Sequence, residues 1–188
     1  MFNRAFGISV AVVAAVFVIA LGMGFALVSV NEAVGSQLME FLRNEIFIGV
    51  NDSDSLTLLV KIFLNNVEAC ILLFLGGASL GLLTLLIISV NGMVIGGVIA
   101  LVREERGLLF MAAAILPHGI FEIPAFLLSG ALGLSLARAV WDEMIREGDA
   151  AEVAKTLGIT FVRIILPLVT IAAFVEAFIT PYMITLII

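Results

Sequence analysis

Long apolar runs alternate with short polar connections along this chain. The first run covers roughly 5–30, where only Ser9 and Ser29 bring side-chain polarity. The next stretch, NEAVGSQLMEFLRNEIFIGVNDSDS (31–55), carries five acids and one base. Within it Val34, Leu38, Phe41, Leu42 and Ile46 fall near helical spacing, with Gln37, Glu40, Arg43 and Glu45 elsewhere on the wheel. This pattern predicts an amphipathic helix near 33–48. It lies on the membrane surface, or it packs on the extramembrane ends of other helices. NDSDS ends it, and Asp54 or Ser55 can cap the helix that follows.

Residues 56–102 form one apolar region long enough for two crossings. A turn at Gly76-Gly77 gives helices over about 56–75 and 79–102. A turn at Asn91-Gly92 gives one long tilted helix and one short one. REERG (103–107) reads as a polar loop, and 108–141 as the next crossing. WDEMIREGDAAEVAK (141–155) is a second polar connection. There Asp149 and Glu152 have capping-box spacing, which starts a helix at Ala150. The last crossing covers 157–180 and ends at Thr180-Pro181. The fold class is all-α: a polytopic transmembrane helical bundle of about five crossings, forming a single integral membrane domain over 1–188.

Composition agrees. The 188 residues are 63% hydrophobic and 13% charged, where soluble domains are about half apolar and a quarter charged. Mean hydropathy is +1.27. A net charge of -6 and the lack of a basic stripe speak against nucleic acid as a partner. The lone Cys70, in an apolar run, reads as a small buried hydrophobe. The N-terminal run is longer than the apolar region of about 7–15 residues in a cleaved signal, so it reads as an uncleaved spanning helix. Arg4, Arg138, Arg146, Lys155 and Arg163 put the N-terminus and the 141–156 connection in the cytoplasm. The expected location is the plasma membrane, with the C-terminus outside.

Polar residues inside apolar runs are where candidate chemistry sits. LPHGIFEIPA (116–125) brackets the only histidine with two prolines. Pro117 and Pro124 lack N–H groups and clash with the carbonyls of Ala113 and Ile120, and Gly119 adds freedom. This predicts a helix broken or strongly kinked at Pro117, Gly119 and Pro124, near 117–124. His118 and Glu122, four apart, share a face. A charged acid at mid-membrane costs roughly 2.5–3.5 kcal/mol on insertion scales, so Glu122 should be neutral, paired or hydrated. FLNNVE (63–68) adds Asn65, Asn66 and Glu68; Asn91 and Glu176 lie in later runs. Asn65, Asn66, His118, Glu122 and Glu176 are predicted to converge on one interior polar cluster. Its role is either a clamp between helices or a proton-, ion- or substrate-handling site. Gly77/Gly81 and Gly92/Gly96 have small-xxx-small spacing for close helix packing.

Other chemistries find no motif. One histidine and one distant cysteine speak against a zinc site, HExxH is absent, and no phosphate-binding glycine loop occurs. Ser129-Gly130 lacks the preceding glycine of a nucleophile elbow. No catalytic residue, cofactor or metal is expected.

Four places together carry a family resemblance: FLNN (63–66), NGMVIGG (91–97), LPHGIFEIPA (116–125) and IAAFVEAFITP (171–181). The sequence resembles the stage II sporulation protein M family of multi-pass membrane proteins. The resemblance implies an all-helical protein with about five crossings. It places Asn65, Asn66, Pro117, His118, Gly119, Glu122, Pro124 and Glu176 at the family's characteristic positions, without a chemical role for any. In endospore formers, members belong to a membrane complex that drives engulfment, where they are expected to localise or scaffold partners that degrade peptidoglycan. The leading expectation for this chain is a non-enzymatic membrane scaffold or assembly subunit. Its partners would be the lipid bilayer, further copies of itself and other membrane proteins. The alternative is a transporter or channel subunit built around His118 and Glu122.

Overall fold

Five helices long and apolar enough to cross a bilayer organise the protein. A computed structural model of the chain describes residues 3–41, 55–145 and 148–187. In chain order come α1 (Arg4–Val30), α2 (Glu32–Phe41), α3 (Ser55–Leu75), α4 (Leu82–Arg106) and α5 (Leu108–Ile145). The fifth span then consists of α6 (Ala150–Thr160), α7 (Leu166–Phe174) and α8 (Thr180–Thr185), joined by two π-helical turns. No strand occurs among the described residues.

The sequence pattern places most boundaries well. Asn3 caps α1 through a hydrogen bond from the Phe6 N–H, 3.0 Å. Asn31 ends α1 and then caps α2, accepting from the Ala33 and Val34 N–H groups. The described part of the predicted 33–48 helix is α2; the remainder lies outside the described residues. Instead of lying free on a surface, α2 packs against α1 and α4. Its Leu38 side chain covers Gly97 of α4, which is the second of the two expected placements. Asp149 caps α6, accepting from the Glu152 N–H at 2.9 Å, as the capping-box spacing predicts.

The turn between the second and third crossings is at Gly76-Gly77. A 3-10 turn over Gly76–Ser79 leads through Leu80 (φ 56°) and Gly81 (φ 84°) into α4. Two successive left-handed residues reverse the chain, and Gly81 takes its place without strain. Asn91-Gly92 is interior to α4. Across the turn, the buried Thr84 hydroxyl donates to the Leu73 carbonyl, 2.9 Å away. Thr84→Val keeps the shape and removes that bond. It should lower stability by about 1 kcal/mol, read from thermal unfolding in detergent micelles; an unchanged midpoint would show that the bond contributes nothing.

Three expectations need correction. REERG is no loop: α4 continues to Arg106, and Gly107 alone (φ 85°) separates it from α5. Of the two forms expected at 117–124, broken or strongly kinked, the break does not occur: α5 is one continuous helix of 38 residues with Pro117 and Pro124 inside it. Each proline removes a single N–H, and the bonds above and below keep the helix going. The last helix does not stop at Thr180-Pro181 either but runs on to Thr185. Here the chain uses a different device. In each π turn the N–H just before a proline-containing segment reaches five residues back, Leu166 to the Phe161 carbonyl and Thr180 to the Val175 carbonyl. The widened turn makes room ahead of Pro167 and Pro181.

α5 is the axis of the bundle. It contacts α1, α3, α4, α6, α7 and α8, and it is the most buried of the spans. At about 1.5 Å per residue its length is about 57 Å, well beyond a hydrocarbon core of about 30 Å. The core joins Val13 and Phe17 of α1, Leu73 of α3, Ile88 of α4, Leu132 of α5 and Val169 of α7. Phe74 and Phe161 stack across it, with ring centroids 5.8 Å apart. Glycines set the closest approaches. A Cβ on Gly24 would collide with the Met93 backbone. One on Gly96 would strike the Leu21 carbonyl, and one on Gly92 would lie 2.8 Å from the Phe17 carbonyl. Gly92 and Gly96 thus form the expected packing pair, against α1. Gly77 and Gly81 do not share a helix: Gly77 packs against Gly133 of α5, and Gly81 is a turn residue. The outward faces, including Val18, Ile19, Leu82 and Leu86, are apolar and exposed, as suits lipid contact.

Candidate functional site: an intramembrane polar cluster

Three spans bring polar side chains to one interior point. Asn66 enters from α3, where it is 5% exposed. His118 and Glu122 enter from consecutive turns of α5, and Glu176 from the second π turn, Val175–Ile179. One ligand-type atom from each of His118, Glu122 and Glu176 lies within 4.8 Å of the others. His118 Nε2 faces Glu122 Oε2 at 4.0 Å, and both side chains are mostly buried. The Asn66 amide lies beside the Glu122 carboxylate. Asn65 completes the chain of contacts, its Nδ2 donating to Asn66 Oδ1 at 3.5 Å.

Four of the five predicted residues meet inside the bundle, and the fifth, Asn65, does not. Adjacent residues on a helix point about 100° apart, so Asn66 faces inward while Asn65 is exposed and touches the cluster only through its neighbour. Asn91 stays out of it. Its Nδ2 donates to the Ile87 carbonyl of its own helix at 3.0 Å, so it links no second helix. Gly119, expected at a break, is a buried position inside an intact helix.

The π turn is what the sequence reading missed. An extra residue in a helical turn rotates everything after it by about 100°. Glu176 sits inside such a turn, and Thr180, one turn on, is buried as well. The one signal in the sequence is Pro181 five residues after Glu176, matched by Pro167 in the same span.

A second layer lies one to two turns from the cluster. Cys70, four residues after Asn66, is fully buried, and its thiol faces the hydroxyl of Ser129, seven residues after Glu122. Four open pockets among the described residues lie elsewhere. They are bordered by residues such as Trp141, Thr156, Met39 and Asp142, and none is lined by His118, Glu122 or Glu176.

A different polar feature faces outward. Lys61, Asn65 and Glu68 follow at spacings of four and three along α3, so they share one side of the helix, and all three are exposed. Leu64 and Leu72 flank them.

The family model for stage II sporulation protein M matches residues 13–181, which include every residue of the cluster. Uncharacterized protein MJ0793 of Methanocaldococcus jannaschii is 34% identical over 128 residues, covering 64% of this chain and 70% of that protein. Uncharacterized protein MJ0706 of the same organism is 34% identical over 83 residues, 44% of this chain and 35% of that protein. No solved structure matches. With five apolar spans and a match over nearly its whole length, this membrane protein belongs to the stage II sporulation protein M family.

Proposed function

We propose that this protein is a non-enzymatic membrane scaffold or assembly subunit that engages copies of itself and other membrane proteins. The observation that carries this reading is the outward polar side of α3. Glu68 lies well inside the Ser55–Ser79 span and is exposed. A carboxylate turned toward lipid costs roughly 2.5–3.5 kcal/mol on insertion scales. A neighbouring helix that covers Asn65 and Glu68 and offers hydrogen-bond donors removes that cost. The inner polar cluster fits the same reading, as a clamp that holds α3, α5 and the fifth span in one rigid unit.

The proposed setting is the plasma membrane with a cytoplasmic N-terminus. Support comes from the gathering of basic residues at one end. Asn3 and Phe6 of the α1 end line one pocket with Arg138, Glu152 and Thr156, so Arg4, Arg138 and Lys155 belong to the same side. Arg103, over the Phe25 ring at 5.7 Å, is at the far end of α1. The cytoplasmic side then carries the greater positive charge.

Purification from native membranes in mild detergent, followed by size-exclusion chromatography with mass determination, tests the scaffold reading. The expected result is a homo-oligomer or a stoichiometric complex that an Asn65→Leu/Glu68→Leu double variant loses while staying folded. A strictly monomeric wild-type chain with no companion would sink the proposal.

A further inference from the structure

We infer that His118, Glu122 and Glu176 form a binding site for one divalent metal ion of the zinc or manganese class inside the membrane bundle. The first observation is the convergence itself. Three metal-ligand side chains from two different spans bring their donor atoms within 4.8 Å of one another. They are three of the few ionisable groups placed in the interior of a chain that is only 13% charged.

The second observation is how these groups are left without each other. The 4.0 Å between His118 Nε2 and Glu122 Oε2 is too long for a hydrogen bond. Metal–ligand bonds of about 2.0–2.2 Å give ligand-to-ligand edges of roughly 3.0–3.5 Å. Side-chain rotations that bring the donors together by about 1–2 Å would therefore close the site around an ion. His118 Nδ1 is itself a buried nitrogen with no hydrogen-bond partner. Among the described residues neither ring nitrogen has a hydrogen-bond partner elsewhere.

Charge supplies the third argument. Two carboxylates and a neutral imidazole carry two negative charges, and a divalent cation brings the set to zero. In a water-poor interior that balance removes the main cost of burying both acids. Asn66, beside Glu122, would act as the outer support that fixes a ligand's orientation.

The donor set narrows the ion. One nitrogen and two oxygens suit zinc or manganese. Copper(I) prefers sulfur, and Cys70 is not among the three. Calcium takes about six to eight oxygens at longer distances. The role assigned to the ion is structural: it would tie α5 to the π turn of the fifth span. This inference is independent of the scaffold reading, since a clamp of this kind would serve any membrane function.

The test uses the full chain with an affinity tag that contains no histidine, purified in detergent. The protein is loaded with zinc or manganese and desalted, and its metal is then counted by mass spectrometry. The expected result is about one ion per chain in the wild type and a loss of at least about fivefold in Glu122→Gln/Glu176→Gln. Equal metal in the two proteins overturns the site. X-ray absorption of the zinc-loaded wild type gives a reading that needs no variant. A shell of nitrogen and oxygen with one imidazole supports the site; a sulfur ligand or a shell of oxygen alone overturns it.

Discussion

Replacing Gly96 with leucine should unseat α1 from α4. Even a single methyl group at this position would strike the Leu21 carbonyl, which is backbone and cannot swing aside. Overpacking a tight interior costs about 1–3 kcal/mol, occasionally more, and an isobutyl group facing a carbonyl belongs at or above the upper end. The same helix pair supplies the control. Gly22 lies on α1, and a Cβ added there would meet nothing within 4 Å, so its side chain would enter open space. Gly22→Ala should be neutral or slightly stabilising, since alanine is favoured over glycine inside a helix by about 0.8–1.0 kcal/mol. Thermal unfolding in micelles, followed by circular dichroism, separates the two. Equal midpoints for Gly96→Leu and Gly22→Ala would mean that the glycine seam does not hold these spans together.

The second large effect is expected at Glu122. Glu122→Ala takes away the carboxylate beside the buried Asn66 amide and leaves that amide in an apolar surrounding, at about 1–3 kcal/mol. Glu122→Gln keeps size and hydrogen-bonding capacity and should stay within about 1 kcal/mol of wild type. A double-mutant cycle of Asn66→Ala with Glu122→Ala isolates the pair. Polar contacts between membrane helices average about 0.6 kcal/mol and reach about 1.7, and coupling in that range is expected here. Strict additivity would show that the two side chains act independently and that the cluster is no clamp. Measured in metal-free buffer, the cycle reports the coupling of the two side chains alone.

Much of the architecture is legible because a bilayer simplifies the problem. A backbone without water must be helical, so apolar run length by itself predicts five spans. A polar residue facing lipid is costly, which is the ground for predicting that Asn65, Asn66, His118, Glu122 and Glu176 meet; all but Asn65 turn inward. What was not legible depends on rotation and continuity. Asn65 and Asn66 are chemically identical, and only the angular phase of α3 turns one in and the other out. Pro117 and Pro124 read as a break, yet α5 continues because each removes one bond from a ladder of many. Pro167 and Pro181 look no different in sequence, yet both follow π turns. Local proline chemistry allows either outcome, and packing against neighbouring spans selects between them. Arg103 to Arg106 read as a loop by charge alone, although arginine and glutamate are good helix formers and α4 simply extends through them.

That extension has a consequence for how the protein is made. Gly107 is the whole of the connection between α4 and α5, and its backbone (φ 85°, ψ 170°) is one that only glycine adopts without strain. A hinge of one residue leaves no slack with which to park either rod at the bilayer surface while the other goes in. The two are therefore expected to enter the lipid as a hairpin, and a tag or fusion placed at this joint should lower the yield of membrane-inserted protein.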